Sequence, residues 1–195
     1  MRKGFTKQII LLMTCIVFLI IVIDSAIVLY RNNKDSTKKN NNNPSISVEF
    51  VQDNKIIITN KLPLIDVVGK KLQYDTESEN QAYLDFNISS DSNEQVNYEI
   101  YIEKLEVDNE MDSHYVKVYL TDDNDQPYEG FDSNASPTYF DLRVSNIKPS
   151  AKRLYSGALD SEKTQKFRVR VWVSDSYVVR KDIERFSFEI NIKEN

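Results

Sequence analysis

The residues best suited to recognition chemistry lie on one short segment. Lys166, Arg168, Arg170 and Trp172 recur at every second position. An extended strand sends alternate side chains to the same face, so three cations and the chain's only Trp share one outward stripe. Such a stripe, facing solvent, can stack on a sugar and pair with an anionic wall polymer. It can equally pair with acids on neighbouring strands, Glu99, Glu103 or Glu189, while Trp172 lies over the cation stems. The second arrangement is favoured, and the four residues stand as the candidate ligand-binding set.

Other chemistry-bearing groups are sparse. Asp122, Asp123, Asn124 and Asp125 form an oxygen-rich cluster of the kind that holds calcium. The cluster departs from an EF-hand loop, with Pro127 where Gly is wanted and Ser133 where the bidentate Glu is wanted. A connection between strands explains the same residues. His114 is the only histidine and no G-x-S-x-G surrounds any serine, so neither a serine triad nor a histidine-rich zinc site is expected. His114 is assigned to a loop ahead of a strand. Four glycines and no P-loop or dinucleotide fingerprint leave no nucleotide cradle. Carboxylates are too numerous for one pair to stand out as a glycosidase couple. Asn87-Ile88-Ser89 and Asn134-Ala135-Ser136 match the glycosylation sequon, which matters only in a eukaryotic source. No catalytic residue, metal ligand or cofactor is expected.

The elements that position these residues are strands. Leu84, Phe86 and Ile88 alternate with polar neighbours, as do Tyr98, Ile100 and Ile102, and Val116, Val118 and Leu120. The pattern repeats over Phe167–Val173 and Phe186–Ile192. A period of two denotes a strand with one buried face. Ser47–Phe50, Lys55–Thr59, Thr138–Val144 and Arg153–Tyr155 are shorter candidates, with polar turns at Ser89–Gln95, Thr121–Pro127 and Ser174–Ser176. No amphipathic helix is expected here. The prediction is an all-β domain, an immunoglobulin-like antiparallel β-sandwich, preceded by one N-terminal transmembrane α-helix.

That helix is read over Ile9–Tyr30, uncharged until Asp24. At 1.5 Å per residue it spans roughly 33 Å, enough for a bilayer's hydrocarbon core. Pairs of small residues suitable for signal cleavage are lacking around Ala26, and Thr14 ahead of Cys15 fits a lipidation signal poorly. The expected organisation is a short cytoplasmic tail (1–8), a signal-anchor (9–30), a disordered Asn/Lys-rich tether (31–45) and an extracytoplasmic domain (46–195). As a coil the tether reaches on the order of 20 Å, which keeps the domain close to the membrane. Flanking Lys and Arg do not orient the anchor; its terminal position does.

Charge narrows the partners. From Ile46 onward the chain holds 18 Lys or Arg against 28 Asp or Glu, a formal charge of −10. Nucleic acid is therefore not an expected partner. The only cysteine, Cys15, lies in the apolar segment, so the domain has no disulfide, cysteine zinc site or cysteine nucleophile. A cysteine-free surface domain fits a Gram-positive type of bacterium.

Two stretches carry a resemblance. One is Ile58-Thr59-Asn60-Lys61-Leu62-Pro63-Leu64-Ile65-Asp66-Val67-Val68-Gly69; the other runs from Leu154-Tyr155-Ser156-Gly157-Ala158-Leu159 to the Phe167–Val173 strand with Arg170 and Trp172. This arrangement resembles membrane-anchored surface proteins of Firmicutes, and more distantly is similar to the camelysin and TasA-like biofilm-matrix proteins. The resemblance implies a sandwich fold and a surface location. The matrix proteins are released by signal cleavage, for which this chain lacks a good site, and no H-E-x-x-H supports camelysin's metalloprotease chemistry. The expected function is therefore a non-enzymatic, membrane-anchored cell-surface protein. Its partners are the lipid bilayer through Ile9–Tyr30, and a cell-wall polymer, a surface protein or another copy of itself through the domain. The alternatives are an accessory or sensory subunit of a membrane complex, and a surface hydrolase.

Overall fold

The computed structural model describes residues 45–61, 63–73 and 82–195. The expected tail, anchor and all but the last residue of the tether lie outside them. Among the described residues no helix is long and apolar enough to cross a membrane.

The alternating segments form strands. They are β1 (Ile46–Phe50), β2 (Lys55–Thr59), β3 (Pro63–Leu64), β4 (Tyr83–Ser90), β5 (Val96–Leu105), β6 (Val116–Thr121), β7 (Ala151–Leu159), β8 (Thr164–Ser174) and β9 (Arg185–Glu194). A single helical turn, α1 (Asp66–Gly69), follows β3, and a 3-10 turn (Ser113–Tyr115) precedes β6. The fold is all-β, with two mainly antiparallel sheets packed as a sandwich. One sheet runs β1-β4-β8, with β6 on the far edge of β8 and the short parallel β3 continuing the line of β4. The other runs β2-β9-β5-β7.

Inward side chains from both sheets make one core. Leu84, Phe86 and Ile88 of β4 and Phe167, Val169 and Val171 of β8 face Tyr98, Ile100 and Ile102 of β5 and Phe186, Phe188 and Ile190 of β9. Phe167 is central: it stacks on Phe86 at 5.2 Å between ring centroids and meets Tyr98 of the opposite sheet edge-on at 6.2 Å. The Tyr98 hydroxyl donates to Gln165 Oε1 at 2.6 Å, so the polar tip of this buried ring is satisfied.

The connectivity has a consequence for the architecture. Setting aside the two-residue β3, successive strands alternate between the sheets, and none pairs with its immediate successor. An immunoglobulin order would pair the first two strands and the last two in hairpins. The layering is that of a sandwich; the strand order differs.

The segment between β6 and β7 corrects an expectation. Thr138–Val144 does not form a strand; Thr138 bridges Lys117, and Val144 bridges Lys152. Tyr139 N–H donates to Val116 O at 2.7 Å on the edge of one sheet, while Arg153 N–H donates to Arg143 O at 2.7 Å on the edge of the other. Within five residues the chain leaves one edge for the other, so it cannot stay extended alongside either. It closes the side of the sandwich and covers two edges that would otherwise present unpaired backbone groups.

Register defines the two ends. Ile46 pairs with Ser90, Ser89 with Thr164, and Ser45 Oγ donates to Glu194 Oε1 at 2.6 Å, so the domain begins and ends at one end. Thr59, Ser174, Val116 and Arg185 lie at the other. The eleven residues of β8 set these ends about 35 Å apart.

Candidate functional site

Alternation places Lys166, Arg168, Arg170 and Trp172 on the outer face of β8, as the sequence predicts. They do not form a solvent-facing stripe. Arg170 and Trp172 are each only 2% exposed. The cover comes from two segments distant in sequence, residues 66–72 and the Asp122–Asp125 loop.

The cations are matched one by one. Cross-strand pairing puts Asp85 of β4 opposite Arg168 of β8. Arg168 grips it with two bonds, Nε to Oδ1 at 3.0 Å and Nη2 to Oδ2 at 3.3 Å. Its third nitrogen donates to Asp125 Oδ1 at 2.8 Å. Arg170 donates from Nη2 to the same Asp125 oxygen at 2.6 Å, from Nε to Leu72 O at 2.7 Å and from Nη1 to Thr121 Oγ1 at 3.3 Å. Lys166 reaches Asp123 Oδ2 at 3.0 Å. The guanidinium carbons of Arg168 and Arg170 also lie 5.2 and 5.4 Å from the centroid of the Tyr83 ring.

Glu99, Glu103 and Glu189 do not take part, which corrects the expected pairing. All three lie on the opposite sheet, where Glu99 meets Arg153 and Ser145, Glu103 meets Lys148, and Glu189 accepts from Asn191. The stripe uses aspartates because Asp85 sits directly across from Arg168 and the loop after β6 folds back over it.

The electrostatics follow from these contacts. The hydrogen bond from Arg170, seconded by that from Arg168, holds the Asp125 carboxyl below its ordinary value. The Lys166 ammonium does the same for Asp123. Asp85 stabilises the charged form of Arg168 further. Burial, reinforced by the bond its hydroxyl donates to Asp85, pushes Tyr83 up to about 12.

The acidic loop thus turns its carboxylates toward arginine and lysine. Asp122 Oδ1 accepts the backbone N–H groups of Asn124 and Gln126, at 2.9 and 2.8 Å, and shapes the turn. Among the described residues no group of acids, cysteines or histidines has the arrangement of a metal site. Two features that the sequence presented separately, the cationic stripe and the Asp cluster, are halves of one ion-pair network.

Trp172 lies beneath α1. A Cβ built on Gly69 would sit 2.2 Å from the indole ring, so only glycine allows the turn to lie this flat. Pro63 and Leu64 pair in parallel with Val173 and Ser174, and Asp66 accepts the N–H of Ser136 at 2.8 Å. These contacts hold the turn over the ring.

His114 sits in the 3-10 turn ahead of β6, exposed, with Nδ1 2.7 Å from Asp112 Oδ1 and its ring stacked 3.8 Å from Phe140. Of the sequon residues, Asn87 is half-buried in β4 and Asn134 is exposed.

Two features were not foreseen from the sequence, the burial of Glu99 and the exposed aliphatics at one end of the sandwich. Glu99 is 1% exposed, with its carboxylate held by the Ser145 hydroxyl and by Arg153 Nη1 at 3.5 Å. A Glu on the polar side of an alternating strand gives no sign that another segment will cover it. The second feature is the end of the sandwich remote from Ser45. Ile65, Val67 and Val68 around α1, and Val178, Val179 and Ile183 between β8 and β9, are 43–79% exposed. Leu64 pairs with Ser174, which brings these two segments to the same end.

No family model, curated protein or solved structure matches this chain.

Proposed function

We propose that this chain is a membrane-anchored, non-enzymatic surface protein whose sandwich displays a binding end away from its point of attachment. The anchor is the uncharged run from Ile9, and the basic tether links it to an acidic domain that begins at Ile46. Surface location and kinship to the camelysin and TasA-like sandwiches rest on the resemblance of Ile58–Gly69 and Leu154–Val173. The immunoglobulin-like character proposed for the domain is limited to its two-layer build.

The observation that carries the binding reading is the group of six exposed aliphatic residues at the end opposite Ser45. Isolated exposed aliphatics are ordinary; six of them on two segments brought to one end by the Leu64–Ser174 pairing suggest a surface that meets a partner. The cationic stripe acts as a clasp for α1 and the acidic loop, because each of its cations already has an acidic partner. Such a domain works as a rigid support for what its end presents.

The test uses the tagged full chain in intact membranes. Val67, Val178 and Val179 are replaced together by Ser. Loss of crosslinked partners with an unchanged melting temperature supports the reading. Retention of the same partners removes the apolar end from the function.

A further inference from the structure

A cleft opens beside β7, and its lining includes none of the β8 clasp residues and none of the six exposed aliphatics. It has a volume of about 390 Å³, and its lining includes Phe131, Leu142, Leu154, Arg143, Arg153 and Glu129. That volume lies in the range of sites for small molecules. Phe131, Leu142 and Leu154 are 3, 9 and 5% exposed and give it an apolar floor. The floor exists because of an irregularity: β5 and β7 slip register at Ile100 and Tyr101, which leaves Leu154 without a partner on β5.

Two arginines share this lining. Arg153 N–H donates to Arg143 O at 2.7 Å, so the two residues are neighbours across the edge of β7. The Arg143 side chain makes no hydrogen bond or ion pair among the described residues. Among the described residues the Arg153 side chain makes a single ion pair, Nη1 to Glu99 Oε1 at 3.5 Å. A guanidinium has five N–H donors, and Arg153, with a side chain 23% exposed, is one of the residues that line the cleft. Glu99 beneath it is 1% exposed and fixed on its other oxygen by Ser145. The acid beneath it gives the Arg153 guanidinium a fixed partner at that side of the cleft.

We propose that this cleft binds the carboxylate of a small ligand between Arg143 and Arg153, with Glu99 as a positioning residue. Paired guanidinium groups suit a planar carboxylate, which they can hold in bidentate geometry. Glu129 and Asp141 also line the cleft, and the domain's charge from Ile46 onward is −10. Those acids oppose a polyphosphate or another dense polyanion. They favour a ligand with one carboxylate and with hydroxyl or amide donors for Glu129 to accept. A sugar acid and a peptide C-terminus share this chemistry. The site goes beyond the proposed binding end and does not depend on it.

The test uses residues 45–195, whose core is complete between Ile46 and Ile190. Titration calorimetry is run with glucuronate and with acetyl-dialanine, each against its uncharged counterpart, glucose or acetyl-dialanine amide. At least one acid is expected to bind, and at least about tenfold more tightly than its counterpart. Which acid binds distinguishes the two ligand sources. Arg143→Gln, at an exposed position, is expected to weaken binding by about tenfold with no change in melting temperature. Glu99→Gln is expected to weaken it as well, and arginine side-chain NMR should then show Arg153 more mobile while Arg143 is unchanged. Failure of both acids to bind, equal binding of acid and counterpart, or full binding by Arg143→Gln would overturn the proposal.

Discussion

Arg170 Nη2 donates to Asp125 Oδ1 at 2.6 Å, a bond between a guanidinium that is 2% exposed and a carboxylate whose side chain is 59% exposed. The pair straddles the domain surface, with the cation beneath and the anion at the rim. Because Arg168 shares the same oxygen, one loop carboxylate holds two cations of the β8 face.

Asp125→Ala therefore leaves Arg170 without its one acidic partner among the described residues. Breaking a fully buried pair would cost several kcal/mol; with the anion still largely hydrated, a loss of about 1–2 kcal/mol is expected. The loss should be smaller in an Arg170→Met background, where no buried charge is stranded. Urea unfolding of the four proteins in this cycle measures both quantities. Equal losses in the two backgrounds would show that the pair is not coupled.

Stability should respond to pH at both extremes. Asp123 and Asp125 have lower pKa values folded than unfolded. Their contribution is present above the ordinary carboxyl value and is lost as pH falls through it toward the folded values. Tyr83 has the opposite sense, raised to about 12. Its contribution is present below about pH 10 and lost as pH rises toward its folded value. Urea midpoints across pH should show a plateau falling at both ends. Asp125→Ala should flatten the acid limb and Tyr83→Phe part of the alkaline one.

Gly69→Ala places a methyl group within the indole of Trp172. The turn must lift or the ring must shift, at a cost of about 1–3 kcal/mol. Trp172 is the only Trp in the chain, so its fluorescence reports the event directly. A red-shifted emission, as the ring gains water, is the expected result. Unchanged emission and melting would mean that α1 does not cover the ring in solution.

The two sheets were largely legible in the sequence because their signal is local. The alternation of Phe186, Phe188 and Ile190, or of Phe167, Val169 and Val171, identifies a strand and its buried face without reference to the rest of the chain. Thr138–Val144 misled because its β-branched and aromatic residues suit a strand, whereas its path between two sheet edges is a tertiary requirement. The candidate site was half legible for a related reason. Periodicity assigned Arg170 and Trp172 to the outer face correctly, but it cannot tell an outer face from an exposed one. Their cover comes from Leu72 and Gly69, about a hundred residues earlier, and from Asp125 after β6. Asp85 was accessible in principle, since it alternates with Leu84 and Phe86 on the polar side of β4, but assigning it to Arg168 requires the pairing of β4 with β8.

The proposed function requires an anchored domain on the outer side of a membrane. Alkaline carbonate extraction of membranes, combined with protease added outside intact cells, checks both parts of that arrangement. The full-length chain is expected to stay in the membrane pellet, and external protease to remove the domain from Ile46 onward, leaving a small N-terminal fragment in the bilayer. A chain shortened near Ala26 and recovered in the medium, or a domain that external protease cannot reach, would contradict that arrangement.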